Sequence, residues 1–268
     1  MRLADLHLHS TASDGLLAPV EIVAKACAIG LDVIALTDHD STDGLTEALA
    51  AGARYTIRVL TGIEISAELA DDEIHILGYM LDYHNKDLQH LLAKMQESRM
   101  ERAREMIRRL RALGFDLNMQ EVISAAGKTS SLGRPHVARV MVEKGYAASL
   151  TEVFSRWLGF GQPAYVSRYK LHPSQAIEII QHAGGLAFLA HPGLLKIEGC
   201  ISQLAKDGLD GIEIYHPEHS SGQARSFRNT AAALGLYISG GSDSHGSPYH
   251  NRIGQTTIHI QDLPWIKD

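Results

Sequence analysis

The chain has 268 residues, of which 45% are hydrophobic and 21% charged, enough to bury a full hydrophobic core. The formal net charge of -6 and an aromatic content of only 6% argue against a protein that coats DNA or stacks single strands. No apolar run approaches the length of a membrane span, and the first residues do not resemble a secretion signal. We therefore expect a cytoplasmic protein that binds neither membranes nor duplex DNA.

Short apolar runs alternate with helical patterns through most of the chain. Seven strands are predicted, at residues 2–9, 32–37, 58–65, 74–80, 186–190, 211–215 and 236–239. Helices are predicted between most of them, including 19–29, 173–182 and 220–234, and the first two have a proline in the first turn. Repeated strand–helix units imply an α/β fold with mostly parallel strands. Because no glycine-rich dinucleotide motif is present, seven such strands favour a barrel over an open sheet.

Residues 86–170 break this rhythm, because helical periodicity dominates there and no buried strand is predicted. We expect residues 1–85 and 171–268 to form the barrel and 86–170 to form a helical insertion beside it. The insertion begins with an arginine-rich helical segment that contains Arg99, Arg102, Arg104, Arg108, Arg109 and Arg111. Glutamates at helical spacing favour a solvated face with i,i+4 ion pairs over a nucleic-acid contact.

The segment Asp5-Leu6-His7-Leu8-His9 places two histidines on one face of the first strand. Alone, this pattern fits either histidines that face water at a sheet edge or histidines that face an internal polar site. Four other predicted strands, however, end in or near an imidazole or a carboxylate: His39, Glu64, His191, and Asp243 with His245. His75 comes from a further strand, and Asp14 follows the first.

In parallel α/β barrels the carboxyl ends of the strands meet at one face, where active sites are built. Imidazole and carboxylate together are ligands that Mn, Fe and Zn accept. A cluster of so many such groups without a metal would repel or titrate. The strand ends therefore predict a metal centre.

These motifs resemble those of the polymerase and histidinol phosphatase (PHP) family. The matching pieces are Asp5-Leu6-His7-Leu8-His9-Ser10 with Asp14-Gly15, Leu36-Thr37-Asp38-His39, Gly62-Ile63-Glu64, His75, Ala190-His191-Pro192 and Gly241-Ser242-Asp243-Ser244-His245. The resemblance implies a distorted (β/α)7 barrel that holds up to three divalent metal ions. It implies the following ligand sets: His7, His9, Glu64 and Asp243 for one ion, Glu64, His75 and His191 for a second, and Asp14, His39 and His245 for a third.

The insertion resembles one bacterial branch of this family, through Gly133-Arg134-Pro135-His136-Val137-Ala138-Arg139 and Tyr165-Val166-Ser167-Arg168-Tyr169-Lys170. That branch removes phosphate from nucleoside 3′,5′-bisphosphates and is linked to trimming RNA from its 5′ end. Arg134 and His136 are predicted at a helix start, which suits an anion, and Arg168 and Lys170 share one face of an extended segment. We expect these four residues to bind phosphate; ordinary surface charge is the competing explanation for each.

Clustered divalent metals activate water and neutralise the charge that develops during phosphate-ester hydrolysis. We therefore expect the nucleophile to be a metal-bound hydroxide held by Glu64, Asp243 and His191, with no covalent enzyme intermediate. The imidazole-rich ligand set favours Mn, with Fe or Zn as alternatives. His216 and His219 could supply a general acid or could only support the site; the sequence leaves this open.

The expected substrate is a small nucleotide with two phosphates, and single-stranded RNA 5′ ends are a further candidate. Two alternatives stay open at this point. One is a histidinol-phosphate phosphatase, the amino-acid-pathway activity of the wider family. The other is a metal-stabilised binding module without turnover.

Overall fold

The computed structural model describes residues 2–70, 72–127, 129, 131–167, 169–197 and 199–266. The strands form a single eight-stranded sheet in the order β7-β6-β5-β4-β3-β2-β1-β8. Their bounds are β1 (Leu3–Leu8), β2 (Val33–Leu36), β3 (Arg58–Leu69), β4 (Asp72–Tyr79), β5 (Leu186–Leu189), β6 (Gly211–Tyr215), β7 (Tyr237–Gly240) and β8 (Ile258–His259). The first seven are the predicted strands. β8 was not predicted, because two residues are too few to show a period.

The sheet curls until the segment after β7 reaches the end of β1, which nearly closes the barrel. Beyond the end of β7, Ser244 bridges in parallel to Leu8 at the end of β1. The backbone N–H of His9 donates to the carbonyl of Ser244 at 2.9 Å. Gly241 allows this approach, because a Cβ at that position would lie 2.4 Å from the backbone nitrogen of His7. The prediction of an α/β barrel is confirmed.

Two strands run against the others: β8, which pairs antiparallel with β1 at the edge of the sheet, and β4 within the barrel. β4 pairs antiparallel with both β3 and β5, whereas the remaining neighbours from β1 to β7 pair in parallel. The reason is local: Leu69 at the end of β3 pairs with Asp72 at the start of β4, whereas parallel strands need a crossover connection of a dozen or more residues. The amino-terminal half of β4 therefore lies at the barrel face where the other strands end.

Helices cover the outside of the barrel and form the insertion. Their bounds are α1 (Pro19–Ala28), α2 (Leu45–Tyr55), α3 (Lys86–Ala112), α4 (Met119–Ala126), α5 (Arg134–Glu143), α6 (Leu150–Val153), α7 (Pro173–His182), α8 (Cys200–Lys206) and α9 (Ser221–Leu234). The predicted helices correspond to α1, α7 and α9. Within the described part of the chain, no helix is both long and apolar enough to cross a bilayer.

Helices α3 to α6 surround a hydrophobic cluster of their own. It includes Met106, Leu110, Val122, Met141 and Leu158, all with exposures of 1% or less. The amino-terminal part of α3 instead packs Leu88, Leu92 and Met95 into the barrel-side cluster. One long helix therefore joins the two cores; the division at residues 85/86 and 170/171 stays a prediction.

The arginine-rich face of α3 is only partly as predicted. Arg104 and Arg108 are exposed and pair with Glu101 and Glu105, as expected of a solvated helix face. Arg99 and Arg102, in contrast, point inward. Arg99 pairs with buried Asp40 after β2, and the Nε of Arg102 donates to the carbonyl of Val166 at 2.7 Å. For these two residues the solvated-face interpretation is wrong, because tertiary packing covers that side of the helix.

Candidate metal centre

The barrel face at which the parallel strands end gathers all nine predicted ligand residues. They come from β1, β3 and β4 and from the loops that follow β1, β2, β5 and β7: His7, His9, Asp14, His39, Glu64, His75, His191, Asp243 and His245. His7 and His9 are both fully buried. The alternative in which these histidines face water at a sheet edge is therefore wrong.

Glu64 lies at the centre of the cluster. Its Oε1 is 2.8 Å from Nδ1 of His75 and 3.1 Å from Nε2 of His191. Its Oε2 is 2.9 Å from Nδ1 of His39, 3.4 Å from Nε2 of His7 and 3.3 Å from Nε2 of His9. One carboxylate therefore contacts five imidazoles, which suits a ligand that bridges two ions.

Two aspartates complete the cluster on the side of β7. Oδ1 of Asp243 lies 3.0 Å from Nε2 of His9 and 3.4 Å from Nε2 of His7. Oδ1 of Asp14 lies 3.3 Å from Nε2 of His245. These contacts bring together the first and third ligand sets that the family resemblance implies.

The donor set fits metal ions. Among the described residues, ten buried side-chain polar atoms lack a partner in hydrogen-bond geometry, and eight of them belong to this cluster. Buried polar atoms are otherwise almost always paired, so this group of unpaired donor atoms around one point fits a bound metal ion. Three groups have donor atoms within 4.8 Å of one another: His9, Asp14, His39 and His245; His7, His9 and Asp243; and His39, Glu64 and His75. These clusters are able to bind metal.

The charges in the cluster are tightly coupled. Burial alone would raise the pKa of Glu64, but His39, His75 and His7 hold it well below its usual range. Burial lowers the pKa of His75, yet Glu64 outweighs it and raises that pKa to about 9. Burial is likewise outweighed at His245, where Asp14 raises the pKa to about 10. The carboxylates are therefore ionised at neutral pH, as metal ligands must be.

Two of the ligand candidates have backbone angles that side chains rarely adopt. His191 has a φ of 28° and Asp243 a φ of 49°. Such positions cost roughly 1–3 kcal/mol each and are found where the surrounding structure fixes them, often at functional sites. Here His191 lies two residues after the end of β5 and Asp243 three residues after the end of β7, and both side chains lie in the cluster.

Glu213 is a site residue that the sequence analysis missed. It is fully buried on β6, where its Oε1 lies 2.9 Å from Nδ1 of His7 and its Oε2 accepts the backbone N–H of His191 at 2.8 Å. A carboxylate behind a ligating histidine fixes the ring and its tautomer. The available signal was a lone acid within the apolar strand Gly211-Ile212-Glu213-Ile214.

His216 and His219 have different surroundings. Nε2 of His216 lies 3.3 Å from Oδ2 of Asp243, and its Nδ1 accepts the backbone N–H of Glu218. His219 contacts the carbonyl of Ile214 through Nδ1 and accepts the N–H of Gly193 through Nε2. His219 therefore supports the loop after β5, whereas His216 supports a ligand candidate directly.

The four predicted phosphate-binding residues are not equally placed. Arg134 begins α5 and pairs with Glu73, the carboxylate that also contacts His75. Lys170 pairs with Glu68 on β3 at 2.6 Å. His136 is buried, and its Nδ1 accepts the N–H of Gly133 at the start of α5, so it caps that helix. Arg168 lies outside the described residues.

The fold and the cluster together define a barrel protein with His, Asp and Glu clusters able to bind metal at one face. The family model of the PHP domain matches residues 5–213, and the chain belongs to this family. The resemblance seen in the motifs is thereby confirmed.

Two curated relatives align with nearly the whole chain. A 3′,5′-nucleoside bisphosphate phosphatase from Chromobacterium violaceum is 37% identical over 98% of this chain and 93% of its own length. The 5′-3′ exoribonuclease Rnm of Escherichia coli is 32% identical over 98% of this chain and 87% of its own. A crystal structure from Bifidobacterium adolescentis, inferred to be a metal-dependent phosphoesterase, superposes with a TM-score of 0.90 at 28% identity, covering 97% of this chain and 93% of that one.

Proposed function

We propose that this protein is a metal-dependent phosphoesterase that hydrolyses the 3′-phosphate of nucleoside 3′,5′-bisphosphates and leaves the nucleoside 5′-monophosphate. The observation that carries the proposal is the buried cluster of imidazole and carboxylate atoms without hydrogen-bond partners. Arg134 lies close to this cluster, because it pairs with Glu73, which also contacts His75. The relatives that align over almost the whole chain support it. Single-stranded RNA 5′ ends are proposed as a second substrate, because they present similar chemistry.

We assign the nine clustered residues as ligands of three divalent ions, with Mn as the favoured metal, because the set combines carboxylates, which suit Mn, with imidazoles, which a transition metal accepts better than Mg does. Bound ions would activate water near neutral pH and neutralise charge on the phosphoryl oxygens. Glu64 contacts imidazoles of all three implied ligand sets and so fixes their spacing. Glu213 holds His7 and the backbone of His191 from behind.

The insertion is proposed to orient the substrate. The Nη2 of Arg134 donates to Oε2 of Glu73 at 3.0 Å, and the Nε2 of His75 lies 2.9 Å from Oε1 of the same carboxylate. A guanidinium so close to the metal ligands can bind a second phosphate with charge-assisted hydrogen bonds. A substrate with phosphates at both ends of one ribose would therefore be favoured over a simple monoester. None of the relatives reported above is named a histidinol-phosphate phosphatase, so they do not support that alternative. No observation on the described residues favours the binding module.

The test replaces Arg134 by alanine and compares adenosine 3′,5′-bisphosphate with 3′-AMP, which lacks the second phosphate. Loss of a charge-assisted contact should lower kcat/KM for the bisphosphate about tenfold or more, with a smaller effect on 3′-AMP. Arg156→Ala is the matched control, because Arg156 is an exposed arginine of the insertion that pairs with Glu152. Equal losses on both substrates would refute the assigned role of Arg134.

A further inference from the structure

A cleft opens between the barrel and the insertion beside the metal centre. It has a volume of about 240 Å³, and its walls include Glu68, Glu73, Arg134, Phe160, Tyr165 and Lys196. We propose that this cleft holds the nucleobase of the substrate, stacked on Phe160. This inference rests on the proposed function. The chemical class of the bound group is a planar heteroaromatic ring carried by a phosphorylated ribose.

Phe160 is the first support for this assignment. Its side chain is 69% exposed although it is large and apolar, and it is the only phenylalanine among the exposed large hydrophobic residues of the described chain. Tyr165 packs edge-to-face against it, with ring centroids 5.3 Å apart and planes at 67°. The tyrosine therefore braces the ring and leaves the phenylalanine exposed. An exposed, braced aromatic face is a stacking surface, and stacking accepts every base.

The position of the cleft is the second support. Glu73 lines the cleft and also contacts His75 of the metal cluster, so a single side chain separates the cleft from the proposed ligands. Arg134 lines the same cleft and lies over the ring of Phe154, with its guanidinium carbon 5.8 Å from the centroid. A nucleotide with its 3′-phosphate at the metals would thus meet Arg134 first and the aromatic pair next.

The size and charge of the cleft agree with a single nucleoside. Pockets for drug-sized ligands are typically about 300–1,000 Å³, so this smaller cleft suits one base. Two cations, Arg134 and Lys196, line the cleft beside the carboxylates Glu68, Asp72 and Glu73, and Lys170 pairs with Glu68. The phosphate of a bound nucleotide would therefore contact the cations, and its base would contact the aromatic ring. A single-stranded RNA end would place its first base in the same cleft.

The experiment measures kcat/KM of Phe160→Ala on two substrates: adenosine 3′,5′-bisphosphate and its abasic analogue, 1-deoxyribose 3,5-bisphosphate. Loss of one stacked base should lower kcat/KM for the adenosine substrate about 5- to 150-fold, mainly through KM, and leave the abasic substrate unchanged. Phe160→Trp should retain the preference for the base. Leu113→Ala, which truncates another exposed apolar residue of the insertion, is the matched control.

Equal kcat/KM changes on both substrates, or none on either, would overturn the base-stacking assignment. A change of oligomeric state in Phe160→Ala without a change in KM would also overturn it and indicate a protein-binding surface instead. Failure of the unmodified enzyme to hydrolyse adenosine 3′,5′-bisphosphate would refute the proposed function itself. The two failures are therefore distinguishable.

Discussion

Glu213 is one buried residue that contacts two of the proposed metal ligands. Each of its two oxygens has a different partner, the ring of His7 and the backbone N–H of His191. A glutamine at this position would keep the shape but present an NH2 group to one of these partners. We therefore expect Glu213→Gln to lower the affinity for Mn about 10- to 100-fold, the usual effect of losing such a support.

Metal titration of the purified protein by calorimetry measures this effect without turnover. Glu218→Gln is the control, because Glu218 is half exposed and pairs with exposed His250. An unchanged Mn affinity in Glu213→Gln, with the fold intact by circular dichroism, would show that Glu213 does not position the ligands.

Protonation of His75 and His245, two of the proposed metal ligands, should make the metal affinity depend on pH. Burial lowers the pKa of both histidines, but nearby carboxylates outweigh it. Glu64 raises the pKa of His75 to about 9, and Asp14 raises that of His245 to about 10. Below these values the metal-free protein keeps protons that an incoming ion must displace. The affinity for Mn should therefore rise from pH 6 to pH 9, by about tenfold per pH unit for each proton displaced. Titrations in buffers of different ionisation enthalpy count the released protons, and a flat pH profile would contradict the account.

At the scale of elements, α3 connects the insertion to the metal centre. Arg99 on α3 donates through Nε to Oδ2 of Asp40 at 2.7 Å and through Nη2 to the hydroxyl of Ser66. Asp40 is buried next to His39, and its Oδ1 accepts the N–H of Ser66. The ion pair thus holds the long helix against two strand ends of the barrel.

Removing the cation of this buried pair should be costly. We expect Arg99→Met to lower the free energy of unfolding by about 3 kcal/mol, because it leaves the Asp40 carboxylate buried without its guanidinium. Arg104→Met is the matched control on the same helix, and its exposed pair with Glu101 is worth less than about 1 kcal/mol. Urea denaturation measures both variants. Similar values for the two would mean that the pair does not anchor α3.

How much of these elements the sequence predicts depends on how local the signal is. The seven barrel strands and the convergence of the nine His, Asp and Glu residues at one barrel face were predictable, because strand periodicity is local and residues at strand ends meet in a barrel. The antiparallel direction of β4 was not, since periodicity carries no information on strand direction. The inward side of Arg99 and Arg102 was not predictable either, because burial of a charged helix face is decided by what packs on it. Glu213 could have been found as an acid in a buried strand.

At the scale of the whole molecule, the barrel supplies the proposed metal ligands, and the insertion supplies the cations and aromatic rings proposed to bind the substrate. Neither part explains the proposed reaction alone. Glu73 and Glu68 connect them, since each lies on the β3–β4 hairpin and pairs with a cation of the insertion, Arg134 and Lys170. We therefore expect an enzyme that needs metal for turnover and uses residues of the insertion to select its substrate.

The most direct measurement is phosphate release with Mn from adenosine 3′,5′-bisphosphate, 5′-AMP and histidinol phosphate in parallel, with a chelated sample as the blank. We expect strong preference for the bisphosphate, 5′-AMP as the product by chromatography, no turnover after chelation, and better recovery with Mn than with Mg. Preference for histidinol phosphate, or 3′-AMP as the product, would contradict the central claim.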